Sequence, residues 1–127
     1  MFDALDMRCV ETGHVLGTLL SLCLLLSVEV RRAQATDVEN GKTLYASRCA
    51  FCHGLSGAGD GPAGAALNPP PTNFRAAGYW KGASTQTMKE VIENGKPNTA
   101  MVPFKSALST GEIDDLLAYL KTLAPPP

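Results

Sequence analysis

Cys49-Ala50-Phe51-Cys52-His53 sets two thiols three positions apart, with an imidazole directly after the second. Residues i and i+3 share one side of a helical turn, so both sulfurs can reach the two vinyl-derived carbons of a single porphyrin. The next side chain then comes under the ring as an axial ligand to the iron. C-x-x-C-H is the attachment pattern of haem c, and histidine is an ordinary haem ligand. Two other chemistries compete for these residues. Cys49, Cys52 and His53 offer three zinc ligands, one short of the four that a structural zinc site takes. A redox-active C-x-x-C is the second rival, and it usually rests on a βαβ scaffold. The remaining chain has to supply the second ligand, the pocket and the compartment.

The compartment is read from the amino terminus. Val15 to Val28 runs 14 residues without a charge, and Ala33-Gln34-Ala35 follows. An apolar run of that length before A-x-A reads as a secretory signal peptide cleaved after Ala35, and it falls short of the ~20 residues of a membrane span. Asp3, Asp6 and Glu11 against the single Arg8 make an unusually acidic start, which suggests Met7 as the true first residue. Arg31 and Arg32 would suit an uncleaved anchor, the alternative reading. The expected division is therefore a leader over residues 1–35 and one domain over 36–127, exported to the periplasm. Cys9 and Cys23 leave with the leader, so Cys49 and Cys52 are the only mature thiols and no structural disulfide is expected. A chain of this size has a limited core, which a large apolar cofactor would extend. The eight cationic side chains of residues 36–127 balance eight carboxylates. Such a neutral domain lacks the basic stripe of a nucleic-acid binder.

The elements that must position the motif are helical. Val38, Gly41, Tyr45 and Cys49 follow the i, i+3, i+4 rhythm of one helix face leading into the cysteines. Gly inside a helix costs about 1 kcal/mol relative to Ala, so Gly41 points to close approach by another helix. After His53, the glycines and prolines from Gly54 to Phe74 bar regular structure, and Leu67 and Phe74 anchor the segment as an ordered loop. Ser84 caps a second helix to Asn94 with Met88, Val91 and Ile92 inward; Gly95 and Pro97 stop it. Ser109-Thr110-Gly111-Glu112 has the form of a capping box, opening a helix whose Ile113, Leu116, Leu117, Leu120 and Leu123 share a face. No β-alternation of useful length appears. The expected fold is all-α, with three to five helices and long loops.

A haem that only transfers electrons needs a ligand on its second face. The mature chain has no histidine besides His53, which leaves the thioethers of Met88 and Met101 as the natural candidates. Met88 lies in a helical apolar stripe, where methionine usually packs. Met101 lies in a proline-flanked loop and is expected as the ligand.

With these features the chain resembles a class I c-type cytochrome of the bacterial monohaem kind over residues 37 to 123. The resemblance rests on Gly41 and Tyr45 before Cys49, CAFCH, the NPPPTNF loop, Met101-Val102-Pro103-Phe104 and a closing helix with Tyr119. It implies a small cytochrome c fold around one covalently bound haem c, with the first and last helices crossing at Gly41 beside Tyr45 and Tyr119. It also implies that a carbonyl of Pro69, Pro70 or Pro71 accepts a hydrogen bond from the proximal imidazole. Tyr79, Trp80, Arg75 and Lys96 are candidate partners for the haem propionates, from loop position and donor chemistry. The expected function is electron transfer, not enzymatic turnover, by a soluble carrier in a respiratory or related chain. The alternative is an electron-accepting subunit of a larger redox enzyme, since GAGDGPAG is similar to such domains. The partners are other redox proteins, with membrane contact only through an uncleaved leader or a membrane complex.

Overall fold

In the computed structural model, residues 35–126 are described. The leader expected over residues 1–35 lies outside them but for its last residue, Ala35, which with Thr36 is exposed coil. Asp37 opens the first helix, α1 (Val38–Arg48), where its carboxylate accepts the amides of Glu39 and Asn40 at 3.0 Å each. This satisfies two of the amides that a helix start leaves without partners. Asp115, on the last helix, accepts the Asp37 amide and the Asn40 side-chain amide, both at 2.7 Å. The start of the domain is thereby tied to its final element.

A break at Cys49 separates α1 from the short α2 (Ala50–His53). There follow a single 3-10 turn at Gly64–Ala66, a short α3 (Ala77–Trp80), α4 (Thr85–Asn94) and α5 (Thr110–Thr122). No strand occurs among the described residues. The all-α expectation holds, and the βαβ scaffold that a thiol-disulfide oxidoreductase would need is absent from this region. The 3-10 turn and α3 were not legible in the sequence: three or four residues carry too little periodicity.

The caps behave as composition suggests. Ser84 Oγ accepts the Thr87 amide at 3.0 Å. At α5, Ser109 Oγ accepts the Glu112 amide at 3.3 Å while the Glu112 carboxylate accepts the Ser109 amide at 2.8 Å, a complete capping box. Burial then selects the inner faces. Ile113, Leu116, Leu117, Leu120 and Leu123 of the closing segment are buried, together with Tyr45, Ala50, Phe74, Met88, Ile92 and Leu108. Val38 is the exception to the face read for α1: it sits in the first turn and is 41% exposed.

The main packing contact joins α1 to α5, with α4 against α5 beside it. Gly41 sets the first of these. A Cβ on it would strike the backbone carbonyl of Asp115, so only glycine permits this approach. Tyr45 and Tyr119 pack beside the crossing with ring centroids 5.3 Å apart. The Tyr45 hydroxyl donates to the Gly54 carbonyl at 2.7 Å, linking the helix crossing to the end of the haem motif.

Candidate haem site

The loop after His53 is built on α2 itself. The amides of Ala63, Gly61 and Gly59 donate in turn to the carbonyls of Phe51, Cys52 and His53 at 3.0, 3.2 and 2.8 Å. Those are the carbonyls a helix end leaves without partners. Glycine is required for this close return: a Cβ on Gly61 would lie 2.5 Å from the Phe51 carbonyl oxygen. The segment is therefore ordered, as expected, because its backbone completes a four-residue helix too short to stand alone.

α2, the proline loop, α4, the turn after it and Leu120 of α5 enclose a cavity of about 590 Å³, within the ~300–1,000 Å³ range of cofactor pockets. Cys49, Cys52 and His53 line it on one side, and Met88 and Met101 also face it. Pro69, Pro70, Pro71, Ala83, Val91, Ile92 and Phe104 make much of the remaining wall apolar. Both cysteines are free thiols, half-buried. Burial pushes the Cys49 thiol up to about 11, with the neighbouring Cys52 adding to the effect. It is accordingly neutral at pH 7 and behaves as a small hydrophobe. Thiols, imidazole, thioethers and apolar walls together fit a covalently held tetrapyrrole.

His53 is held from behind. Its Nδ1 lies 3.2 Å from the Thr72 carbonyl oxygen, so the tautomer that donates there leaves the unprotonated Nε2 with its lone pair free for a metal. This corrects the expectation for Pro69, Pro70 and Pro71: all three line the cavity, but the hydrogen-bond partner is the residue after them. The physical reason is that any residue presents a carbonyl, so the backbone path selects the acceptor and residue type gives no signal. Phe74 stacks on the imidazole, with centroids 5.0 Å apart and planes 23° from parallel. The Trp80 indole N–H donates to the Phe74 carbonyl at 2.7 Å, while Tyr79 meets the Phe74 ring edge-on at 5.5 Å. Burial lowers the His53 pKa, and the Thr72 bond only partly opposes it. The ring is therefore neutral at pH 7, as metal ligation requires.

Of the four candidate propionate partners, Tyr79 and Lys96 line the cavity, whereas Arg75 and Trp80 do not. Arg48, which the sequence did not single out, lines it as well. Its position directly before Cys49 was the available signal. Met88 is buried in the core, and Met101 is half-buried at the cavity wall. The turn carrying Met101 is pinned to the end of α4, where Phe104 and Lys105 donate their amides to the Ile92 and Glu93 carbonyls at 2.9 and 3.2 Å. No group of three or more His, Cys, Asp or Glu is arranged for metal binding among the described residues. The zinc reading is left without support.

The comparisons with known proteins agree with this geometry. The family model for cytochrome c matches residues 38–124. Cytochrome c-554(547) of Halothiobacillus neapolitanus is 35% identical over 91 residues, covering 70% of this chain and 99% of that protein. The cbb3-type cytochrome c oxidase subunit CcoP of Azospirillum brasilense is 31% identical over 100 residues, covering 78% of this chain but 32% of that subunit. Among solved structures, the c-type cytochrome KustC0563 superposes with a TM-score of 0.58 at 26% identity, covering 67% of this chain and 98% of that one. The chain belongs to the cytochrome c family, which implies a covalently bound haem c and electron transfer as its function.

Proposed function

We propose that this protein is an exported single-haem electron carrier whose haem is attached through Cys49 and Cys52 and ligated by His53 and Met101. The observation that carries the reading is that all four side chains line one apolar cavity, with His53 already oriented by Thr72. When bound, the haem supplies a one-electron Fe(III)/Fe(II) couple. Cys49 and Cys52 would hold the ring beside α2, and the Thr72 carbonyl holds the imidazole in the tautomer that presents Nε2. Met101 would supply a neutral thioether as the second ligand, and pairing of histidine with a thioether raises the reduction potential. The apolar wall excludes water and disfavours the extra positive charge of the ferric state, which raises the potential further. Arg48, Lys96 and Tyr79 are the donors available to the ring carboxylates.

The test uses protein produced with the covalent haem-attachment machinery. Met101→Ala should abolish the thioether-to-iron charge-transfer absorption and lower the potential, while Met88→Ala should keep the absorption and lose ~2–5 kcal/mol of stability as a buried truncation. The opposite pattern overturns the ligand assignment, and absence of covalent haem overturns the function.

The match to the CcoP oxidase subunit favours a second reading, a cytochrome domain working inside a larger redox complex. Purification of the haem-loaded protein under mild conditions separates the two. A monodisperse species of the single chain's mass supports the free carrier, and a stable hetero-complex supports the subunit.

A further inference from the structure

The turn from Lys96 to Met101 is closed twice. The Lys96 amide donates to the Met101 carbonyl at 3.0 Å, joining its first and last residues. Inside that ring, the Thr99 hydroxyl donates to the Lys96 carbonyl at 2.8 Å and accepts the Met101 amide at 3.1 Å. One hydroxyl thus spends its single proton and one lone pair on the two ends of the same turn. Outside the ring, the Phe104 and Lys105 amides tie the chain beyond Met101 to the end of α4. Lys96, Pro97, Asn98 and Ala100 are exposed, and Asn98 has a positive φ of 59°. Thr99 is half-buried and itself faces the cavity.

We propose that Thr99 is the positioning residue for the Met101 ligand, its hydroxyl clamping the turn so that the thioether is presented towards the iron. This rests on the reading of Met101 as the axial ligand. The clamp lowers the number of conformations from which the thioether must be recruited, and so strengthens the closed, ligated state over the open one. Threonine is favoured over serine only in rotamer restriction, so serine should keep most of the effect. Valine keeps the shape and removes both hydrogen bonds.

The experiment is displacement of the thioether by exogenous imidazole in the ferric, haem-loaded protein, followed through the thioether charge-transfer band. Thr99→Val should bind imidazole about tenfold more tightly than the parent, equivalent to ~1.4 kcal/mol and within what two ordinary hydrogen bonds contribute. Thr99→Ser should return the affinity to within about threefold of the parent, a change of less than one ordinary hydrogen bond. A role confined to general stability would leave imidazole affinity unchanged while lowering the denaturation midpoint; that outcome overturns the proposal. Met101→Ala is the control for the underlying reading. Should Met101→Ala retain the thioether band, the axial assignment itself fails; should it lose the band while Thr99→Val matches the parent, only the clamp fails. If Thr99→Val does not fold, Thr99→Ser against Thr99→Ala carries the same comparison.

Discussion

Tyr45 is 1% exposed, with its hydroxyl bonded to the Gly54 carbonyl, and burial raises its pKa above the usual tyrosine value. Below about pH 10, the phenol is neutral in both folded and unfolded chains. Above it, the unfolded chain ionises first, so the stabilisation is complete below pH 10 and is lost as pH rises. Tyr45→Phe should cost ~1 kcal/mol at neutral pH through the lost hydrogen bond and lose less stability than the parent between neutral pH and pH 11 in denaturant titrations. Burial raises Tyr79 in the same direction, so the informative quantity is the difference between variant and parent. An unchanged alkaline loss would mean that Tyr45 is not the titrating group. At the scale of single residues, the two cysteines, His53 and Met101, which all line the cavity, were readable as candidates because thiol, imidazole and thioether chemistry belongs to the side chain. Thr72 was not, because it contributes only a carbonyl.

At the scale of elements, the helix crossing and the caps rank differently in energy. Gly41→Ala places a methyl group against the Asp115 backbone, which cannot rotate away, so α1 and α5 must separate. The expected loss is at least ~2 kcal/mol. Ser109→Ala removes one cap of α5, expected at ~1 kcal/mol. Chemical denaturation of both variants checks the order, and a smaller loss for Gly41→Ala would contradict the close crossing. Glu112 has a lowered pKa, chiefly from the Ser109 amide. Its contribution to the capping box is therefore present at neutral pH and fades as pH falls through the carboxylate range. The long helices were visible beforehand because their apolar spacing repeats over several turns, with Ser84, Ser109 and Gly95 marking their ends. The turns at Gly64–Ala66 and Ala77–Trp80 depend on contacts with α2 and Phe74, which one-dimensional spacing does not record.

At the scale of the whole domain, the core and the cavity wall share residues. Phe74, Met88, Ile92 and Leu120 are buried in the core and also line the cavity. A group held there extends the core, so holding it and folding should be coupled. The double variant Cys49→Ser/Cys52→Ser, which cannot attach haem covalently, should show a lower and broader thermal transition by circular dichroism than the haem-loaded parent. An equally high and sharp transition would show that the walls support themselves. By itself, the sequence determined the attachment motif, the candidate ligand types, the all-helical class and the need for a close contact at Gly41, since each follows from residue type or short-range spacing. Only the tertiary structure decided that Asp115 is what Gly41 meets, that Thr72 orients His53, that Arg48 joins the cavity wall and that Thr99 closes the Met101 turn. Those assignments depend on where distant or backbone atoms come to lie, and that is set by packing in three dimensions.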